Sequence, residues 1–250
     1  MKIPTHNHSK EEYVHNIFSS IAGKYDWMNR VMTFGLDSSW RRFAVEKAQL
    51  PPGGYGLDVC CGTGKITLEQ AKKVGKGGKV IGLDFCQEML DVAQSNLAGH
   101  PLRDRIELVQ GNAMDLPFLD NTFDSATIGF ALRNVPDLIR SLQEMIRVVK
   151  PGGKVVSLEL AKPSWPVFKQ IYWLYFDKLV PLMGKFRVGI EGPYTYLPNS
   201  VKIFPHQREI AHLFSRLGLQ QVNCYELTGG IVAVHVGTKF QPATPPANIE

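Results

Sequence analysis

The chain has no C-x-x-C pair, no block of Lys or Arg longer than two residues, and no unbroken apolar run of membrane-spanning length. Each absence removes a class of function. Without paired cysteine spacings, Cys60, Cys61, Cys86 and Cys224 outline neither a zinc site nor a redox dithiol. They read as small buried hydrophobes of a reducing compartment. Without basic blocks there is no nucleic-acid arm, although 28 Lys and Arg against 23 Asp and Glu leave a net charge of +5. That mild excess permits an anionic surface as partner without requiring one. A span would need about 18 consecutive apolar residues. Met1–Lys10 lacks the apolar core of a signal peptide, so a cytoplasmic protein is expected. What is there, 250 residues that are 44% hydrophobic and 20% charged, is globular in character.

The stretch that organises the rest is Gly56-Leu57-Asp58-Val59-Cys60-Cys61-Gly62-Thr63-Gly64, followed by Lys65-Ile66-Thr67. It reads as a buried strand ending in a glycine turn that opens a helix. Gly62 and Gly64 let the backbone turn tightly and a ligand approach, and free N–H groups at the helix start favour an anionic group. Two nucleotide motifs fail here. A dinucleotide fingerprint needs glycine where Thr67 stands. A phosphate loop needs glycine at Val59 and a hydroxyl residue at Ile66. Asp58 would repel a diphosphate and suits a cationic ligand such as the sulfonium or ammonium of S-adenosylmethionine. An ordinary strand-to-helix turn would look the same.

From Tyr55 onward strands and helices alternate, the pattern of a parallel α/β sheet. Strands are predicted at Gly56–Cys61, Lys79–Phe85, Ile106–Gln110, Ser125–Phe130 and Lys154–Leu160. Helices are predicted at Lys65–Val74, Gln87–Leu97 and Leu138–Val149, with turns at Lys76-Gly77-Gly78 and Lys150-Pro151-Gly152-Gly153. Ahead of the sheet, Ser9–Lys24 reads as a helix capped by Ser9. An aromatic arm with Tyr25, Asp26, Trp27 and Asn29 follows, then a helix over Arg41–Gln49. After the fifth strand, Ser164–Arg187 shows a helical aromatic face, Trp165–Phe168–Tyr172–Phe176–Leu179, with Lys169, Lys178, Lys185 and Arg187 interspersed. That composition suits a membrane interface or the roof of an apolar pocket, and equally a helix packed on the sheet. Tyr194–Pro198 reads as a loop and His206–Leu217 as a helix. Gln220–Leu227 and Ile231–Thr238 read as a hairpin, and 240–250 as a disordered tail.

Polar residues gather where strands end. Asp84 closes the second strand 20 residues after Gly64 and can accept from both ribose hydroxyls, or cap the next helix. Asn112 and the backbone of Ala113 follow the third strand and can meet an adenine edge; Asp115 could do the same. The fourth strand delivers Gly129, Arg133 and Asn134 to the same edge.

Together these stretches resemble the ubiquinone/menaquinone biosynthesis C-methyltransferases, a branch of the class I S-adenosylmethionine-dependent methyltransferases. The resemblance rests on Tyr25–Asn29, Leu57–Gly64, Gly82-Leu83-Asp84, Gly111-Asn112-Ala113, Phe130–Val135, Arg147–Gly153 and Thr228–Ala233, and spans about residues 10 to 239. It implies a Rossmann-like, seven-stranded, mostly parallel sheet with helices on both faces and an antiparallel C-terminal hairpin. It implies an arm over 1–50 and a methyltransferase domain over 51–239 with a helical insertion at 164–200; no metal is expected, because the reaction needs none and the sequence shows no ligand cluster. The resemblance implies cofactor contacts at Thr63, Asp84, Asn112 and Ala113; Asp58, Gly62 and Gly64 of the glycine turn and Gly129 of the fourth strand complete the expected cofactor set. Gly129 stands where ubiquinone-pathway members carry serine, which points to menaquinone-only members. Asp37 stands where many members carry histidine, and Ala161 interrupts the family's Glu-x-Ser pattern.

The implied reaction is C-methylation of demethylmenaquinol. A phenol is mostly protonated at neutral pH, and its ring carbon becomes a good nucleophile only on ionisation. Arg133 is expected to stabilise the oxyanion, because a guanidinium is too basic to take a proton itself. Tyr25, Asp26 and Asn134 are its expected partners; His206, His212 and His235 read as structural. Alternatives are a ubiquinone-pathway or other lipidic acceptor, or a non-catalytic cofactor-binding subunit of a quinone-biosynthesis assembly. A nicotinamide-dependent oxidoreductase is disfavoured by Asp58 and Thr67. Expected partners are the prenylated quinol, a transient contact with the inner membrane face, and a second copy of the chain.

Overall fold

A computed structural model describes residues 7–175 and 192–242. The seven-stranded sheet has the order β3-β2-β1-β4-β5-β7-β6. The strands are β1 (Tyr55–Val59), β2 (Lys79–Asp84), β3 (Ile106–Gln110), β4 (Phe123–Gly129), β5 (Val149–Leu160), β6 (Gln220–Leu227) and β7 (Val232–Thr238). β1 to β5 are parallel, and β7 runs antiparallel to both neighbours. The chain steps outward from β1 to β3, then returns to β4 on the other side of β1. The carboxyl ends of β1 and β4 therefore flank a topological switch point, where open α/β sheets bind ligands.

Side-chain alternation builds a core on each face. Leu57, Ile81, Leu83, Ile128 and Val155 turn to one face and pack on α5 (Leu138–Val148) through Leu142 and Met145, and on α8 (Gln207–Arg216) through Ile210 and Phe214. Val80, Val156, Leu158 and Val234 turn to the other. They meet α2 (Asp37–Lys47) at Trp40, Ala44 and Val45, and α3 (Lys65–Val74) at Ile66 and Ala71. Leu97 of α4 (Gln87–Leu97) joins that second core.

Several elements differ from expectation. α1 (Asn7–Met32) starts before Ser9 and runs through the aromatic arm, because Ile21, Tyr25, Met28 and Met32 continue the helical stripe. β1 ends at Val59, and Cys60 adopts a left-handed φ of 54°, so the two cysteines are not a strand pair. Lys150-Pro151-Gly152-Gly153 is part of β5 rather than a turn. Gly152 donates its N–H to Lys239 O at 2.9 Å, and Lys239 donates to Gly153 O at 2.9 Å. Glycine is required at 153, where a Cβ would lie 2.5 Å from Asp124 O. α6 spans Pro166–Leu174, leaving Trp165 ahead of the helix and 74% exposed. Phe176, Leu179, Lys178, Lys185, Arg187 and the tail beyond 242 lie outside the described residues. Tyr194–Pro198 belongs to α7 (Gly192–Ile203), a helix that keeps Pro198 inside it and buries Tyr196 and Val201.

Candidate active site

Two cavities open at the carboxyl edge of the sheet, and Tyr25 and Phe130 line both. The first, of about 700 Å³ including its mouth, lies over the ends of β1, β2 and β4 and is roofed by Glu11, Val14, Phe18 and Tyr25 of α1. Its floor holds Gly62, Asp84, Gly111, Asn112, Ala113 and Gly129, with Phe85, Met89 and Val135 as apolar walls. A Cβ at Gly62 would meet nothing within 4 Å, so any side chain there would project into open space, and its φ of 54° disfavours one anyway.

Asp84 is 5% exposed. Its Oδ2 accepts the Gly62 N–H at 2.8 Å and its Oδ1 the Cys86 N–H at 3.0 Å. Burial raises its pKa, while those backbone N–H groups pull the other way. Each oxygen keeps a lone pair, so the carboxylate that fastens β1 to the start of α4 can also accept from a ribose diol. Asn112 Oδ1 accepts the Met114 N–H at 2.9 Å in a local turn, and its Nδ2 donates to Glu11 of the roof at 3.3 Å.

Strand alternation turns Asp58 away from this cavity. Its carboxylate faces α3, accepting from Thr67 Oγ1 of that helix at 2.6 Å and from Thr127 Oγ1 of β4 at 3.0 Å. Burial pushes its pKa up to about 7 despite those hydroxyls. Asp58 is therefore a bracket between β1, β4 and α3. Thr63 is also outside the wall, because its hydroxyl donates to Asp26 at 2.7 Å. Gly64, at φ 81°, precedes α3 as its N-cap, and a Cβ there would meet Ala93 at 3.5 Å rather than the cavity. Asp26 does not line either cavity. It holds α1 down through Thr63, Lys65 Nζ at 3.1 Å and Asn96 at 3.3 Å, so it serves positioning.

The second cavity, of about 1090 Å³ including its mouth, is lined mainly by apolar and aromatic side chains. Met32, Phe34, Trp40, Leu160, Ile171, Tyr172 and Tyr175 are among them. Arg133 lines it and is ion-paired to Glu159 of β5, with the two side chains 6% and 2% exposed. Arg133 also donates to Phe130 O at 2.6 Å, and its backbone N–H donates to Glu159 at 3.2 Å. Burial, the largest single influence, would lower the Arg133 pKa, but the charge and hydrogen bond of Glu159 together with Tyr25 and Tyr196 outweigh it and the net direction is up. Its Nε is buried without a partner among the described residues. Asn134 lines the first cavity, donates to Phe130 O at 3.3 Å and accepts from Tyr196 at 3.0 Å. Burial pushes the Tyr196 hydroxyl to about 12.

The late histidines line neither cavity. His206 caps α8, His212 is exposed, and His235 is buried with Nε2 2.8 Å from Gln207 O. Glu159, Phe85 and Phe130 were missed in the sequence. Glu159 alternates with leucines in a buried strand, and an acid there is the signal that could have found it.

A family model described as the ubiE/COQ5 methyltransferase family matches residues 6–239. The chain belongs to the ubiE/COQ5 methyltransferase family. Relatives include the demethylmenaquinone methyltransferase of Desulfitobacterium hafniense strain Y51, 55% identical over 92% of this chain and 91% of that protein. The protein of the same name from Bacillus cereus strain ATCC 10987 is 46% identical over 92% of this chain and 97% of its own length. Among solved structures, an S-adenosylmethionine-dependent methyltransferase from Aquifex aeolicus superposes with a TM-score of 0.59 at 20% identity, covering 80% of this chain and 89% of that one. The cyclase SpnF superposes at 0.55 and 20% identity, covering 81% of each chain. The fold is therefore that of the S-adenosylmethionine-dependent methyltransferases, and in this family the chain is a methyltransferase. The SpnF likeness shows that the fold alone does not specify the reaction.

Proposed function

We propose that this ubiE/COQ5 methyltransferase transfers a methyl group from S-adenosylmethionine to the free ring carbon of demethylmenaquinol. The observation that carries the reading is the pair of cavities meeting at Tyr25 and Phe130. The first presents Asp84 and Asn112 to a nucleoside; the second, largely apolar with Arg133 on its wall, suits a prenylated ring. The 46–55% identity to demethylmenaquinone methyltransferases supports the same acceptor.

In this reading Asp84 takes the ribose hydroxyls, Asn112 and Ala113 meet the adenine, Gly62 lets the ligand approach the backbone, and Gly129 lines the same cavity. S-adenosylmethionine supplies a methyl on a sulfonium, already a good leaving centre. The chain's work is alignment and charge. Tyr25 and Phe130 hold ring and methyl donor face to face. Arg133 donates to the acceptor oxyanion, and Glu159 holds the guanidinium in place. The ring carbon gains the methyl, the carbon–sulfur bond breaks with its electron pair left on sulfur, and the ring proton passes to water as aromaticity returns. Gly129 bears on the pathway. A Cβ there would lie 2.2 Å from Ile66 Cδ1, so a serine would require Ile66 to move.

The domain reading is an arm, 1–50, laid over a domain spanning 51–239 with an insertion at 164–200. Phe34, Trp165 and Leu174 are 82%, 74% and 64% exposed, and Phe34 and the exposed Ile171 line the second cavity. That suits a tail leaving toward a lipid surface, and co-sedimentation with anionic vesicles checks it; recovery only in the supernatant would reject the contact. No helix among the described residues is long and apolar enough to cross a membrane. A homodimer is the remaining expected partnership, read by light scattering.

The test is methyl transfer from labelled S-adenosylmethionine to reduced short-tail demethylmenaquinol, beside a reduced ubiquinone precursor and a control without quinone. Label on the naphthoquinol ring is expected. No label in either quinol, with cofactor still bound, would overturn the acceptor.

A further inference from the structure

A second charged pair lines the apolar cavity, and the reaction as described above leaves it unused. Asp37 and Arg41, one turn apart on α2, are ion-paired with side chains only 12% and 9% exposed, and both border the cavity. Pairs at this helical spacing usually sit in solvent, where they contribute little. A buried pair loses hydration that apolar side chains of the same size would not, so packing alone does not account for it. Arg41 donates to Asp37 Oδ2, and Thr33 Oγ1, which donates to Asn29 O at 2.7 Å, lies 3.2 Å from Oδ1, so the carboxylate sits against the wall with lone pairs to spare. Asp37 is the hydrogen-bond partner the structure gives Arg41 among the described residues, so most of its five N–H donors are uncommitted.

Position gives the pair a target. The Arg41 guanidinium lies 5.3 Å from the centroid of the Phe130 ring, and Phe130 borders both cavities. Arg133 donates to the backbone oxygen of that same residue. Two charged pairs thus converge on Phe130, where the acceptor ring must sit to face the methyl donor. The acceptor is a para-diol, with one hydroxyl beside the methylated carbon and the other across the ring. We infer that Asp37 and Arg41 bind that second hydroxyl, making them specificity determinants for a diol acceptor. The pairing is chemically specific: a hydroxyl donates its hydrogen to the carboxylate and accepts from the guanidinium, which neither an ether nor a bare ring position can do. This rests on the proposed acceptor.

The experiment compares kcat/KM for reduced short-tail demethylmenaquinol and for the same prenylated naphthol lacking the second hydroxyl. The wild-type chain is expected to favour the diol by about 10- to 100-fold, the range for a hydrogen bond to a charged group. Because removing one partner strands the other charge, the informative variant is Asp37→Asn with Arg41→Met. It should raise KM for the diol, bring the two acceptors within a few-fold of each other, and leave S-adenosylmethionine affinity unchanged, which also reports folding. Arg41→Lys should restore part of the preference. Equal use of both acceptors by the wild-type chain, or a full preference surviving in the double variant, would overturn the inference and leave the proposed reaction standing. No transfer to the diol by the wild-type chain would instead overturn the proposed acceptor and this inference with it.

Discussion

Asp84 ties the glycine turn to the next helix with the same carboxylate that faces the first cavity. Asp84→Ala should weaken S-adenosylmethionine binding at least about tenfold, since a hydrogen bond to a charged group contributes roughly 1.5–3 kcal/mol. Calorimetry checks it, and unchanged affinity would remove the ribose assignment. Arg133 differs, because Glu159 is 2% exposed and would be stranded by truncation. Arg133→Met with Glu159→Gln avoids that, and turnover should fall by about 100-fold, typical of losing an oxyanion donor, at little change in cofactor affinity. Full activity in the double variant would contradict the role. Asp58 is expected to act on stability instead. Its pKa rises from 3.8 to about 7 in the fold, so between those values the folded chain holds more protons than the unfolded one. Its contribution is fully present at low pH and is lost as pH rises toward 7. Asp58→Asn should flatten that part of the denaturation profile, and an unchanged profile would argue against a perturbed Asp58. Motif spacing made Asp84 and Arg133 legible, but it could not show that Asp58 faces α3. That depends on which way one strand alternates.

α1 is the element on which both cavities depend. It roofs the first with Phe18 and walls the second with Asn29 and Met32, while Tyr25 serves both. Asp26 fastens it to the glycine turn and α3. Asp26→Ala should loosen α1, seen as faster amide exchange across it, and weaken cofactor binding several-fold without altering acceptor preference. Unchanged exchange would show that packing alone holds the helix. The elements with clean boundaries in the sequence, α3, α4 and β3, carry strong apolar periodicity and glycine or turn punctuation. α7 was hidden because Pro198 reads as a break, yet burial of Tyr196 and Val201 keeps the helix. α1 was cut short because an aromatic-rich segment looked like a separate arm, although its spacing never leaves the helical stripe. Glu159 could not be paired with Arg133, since nothing local links residues on neighbouring strands.

At the scale of the molecule, the switch point between β1 and β4 brings the ends of three strands under one helix, and the antiparallel β7 carries the other side of the sheet out to β6 at its edge. A ligand bound there touches several elements at once and should stabilise the whole domain. At a hundred-fold excess over Kd, S-adenosylmethionine should add about 2.7 kcal/mol. For a domain of this size that is a rise in Tm of roughly 5–10 °C. NADH should give none, and a shift with NADH alone would revive an oxidoreductase. The most direct measurement is a crystal structure with S-adenosylhomocysteine and demethylmenaquinol bound together. The expected result has the nucleoside between Asp84 and Asn112, the sulfur directed at the Tyr25–Phe130 junction, and the free ring carbon opposite it with a hydroxyl at Arg133. A quinol bound away from that junction, or a nucleoside in the apolar cavity, would contradict it.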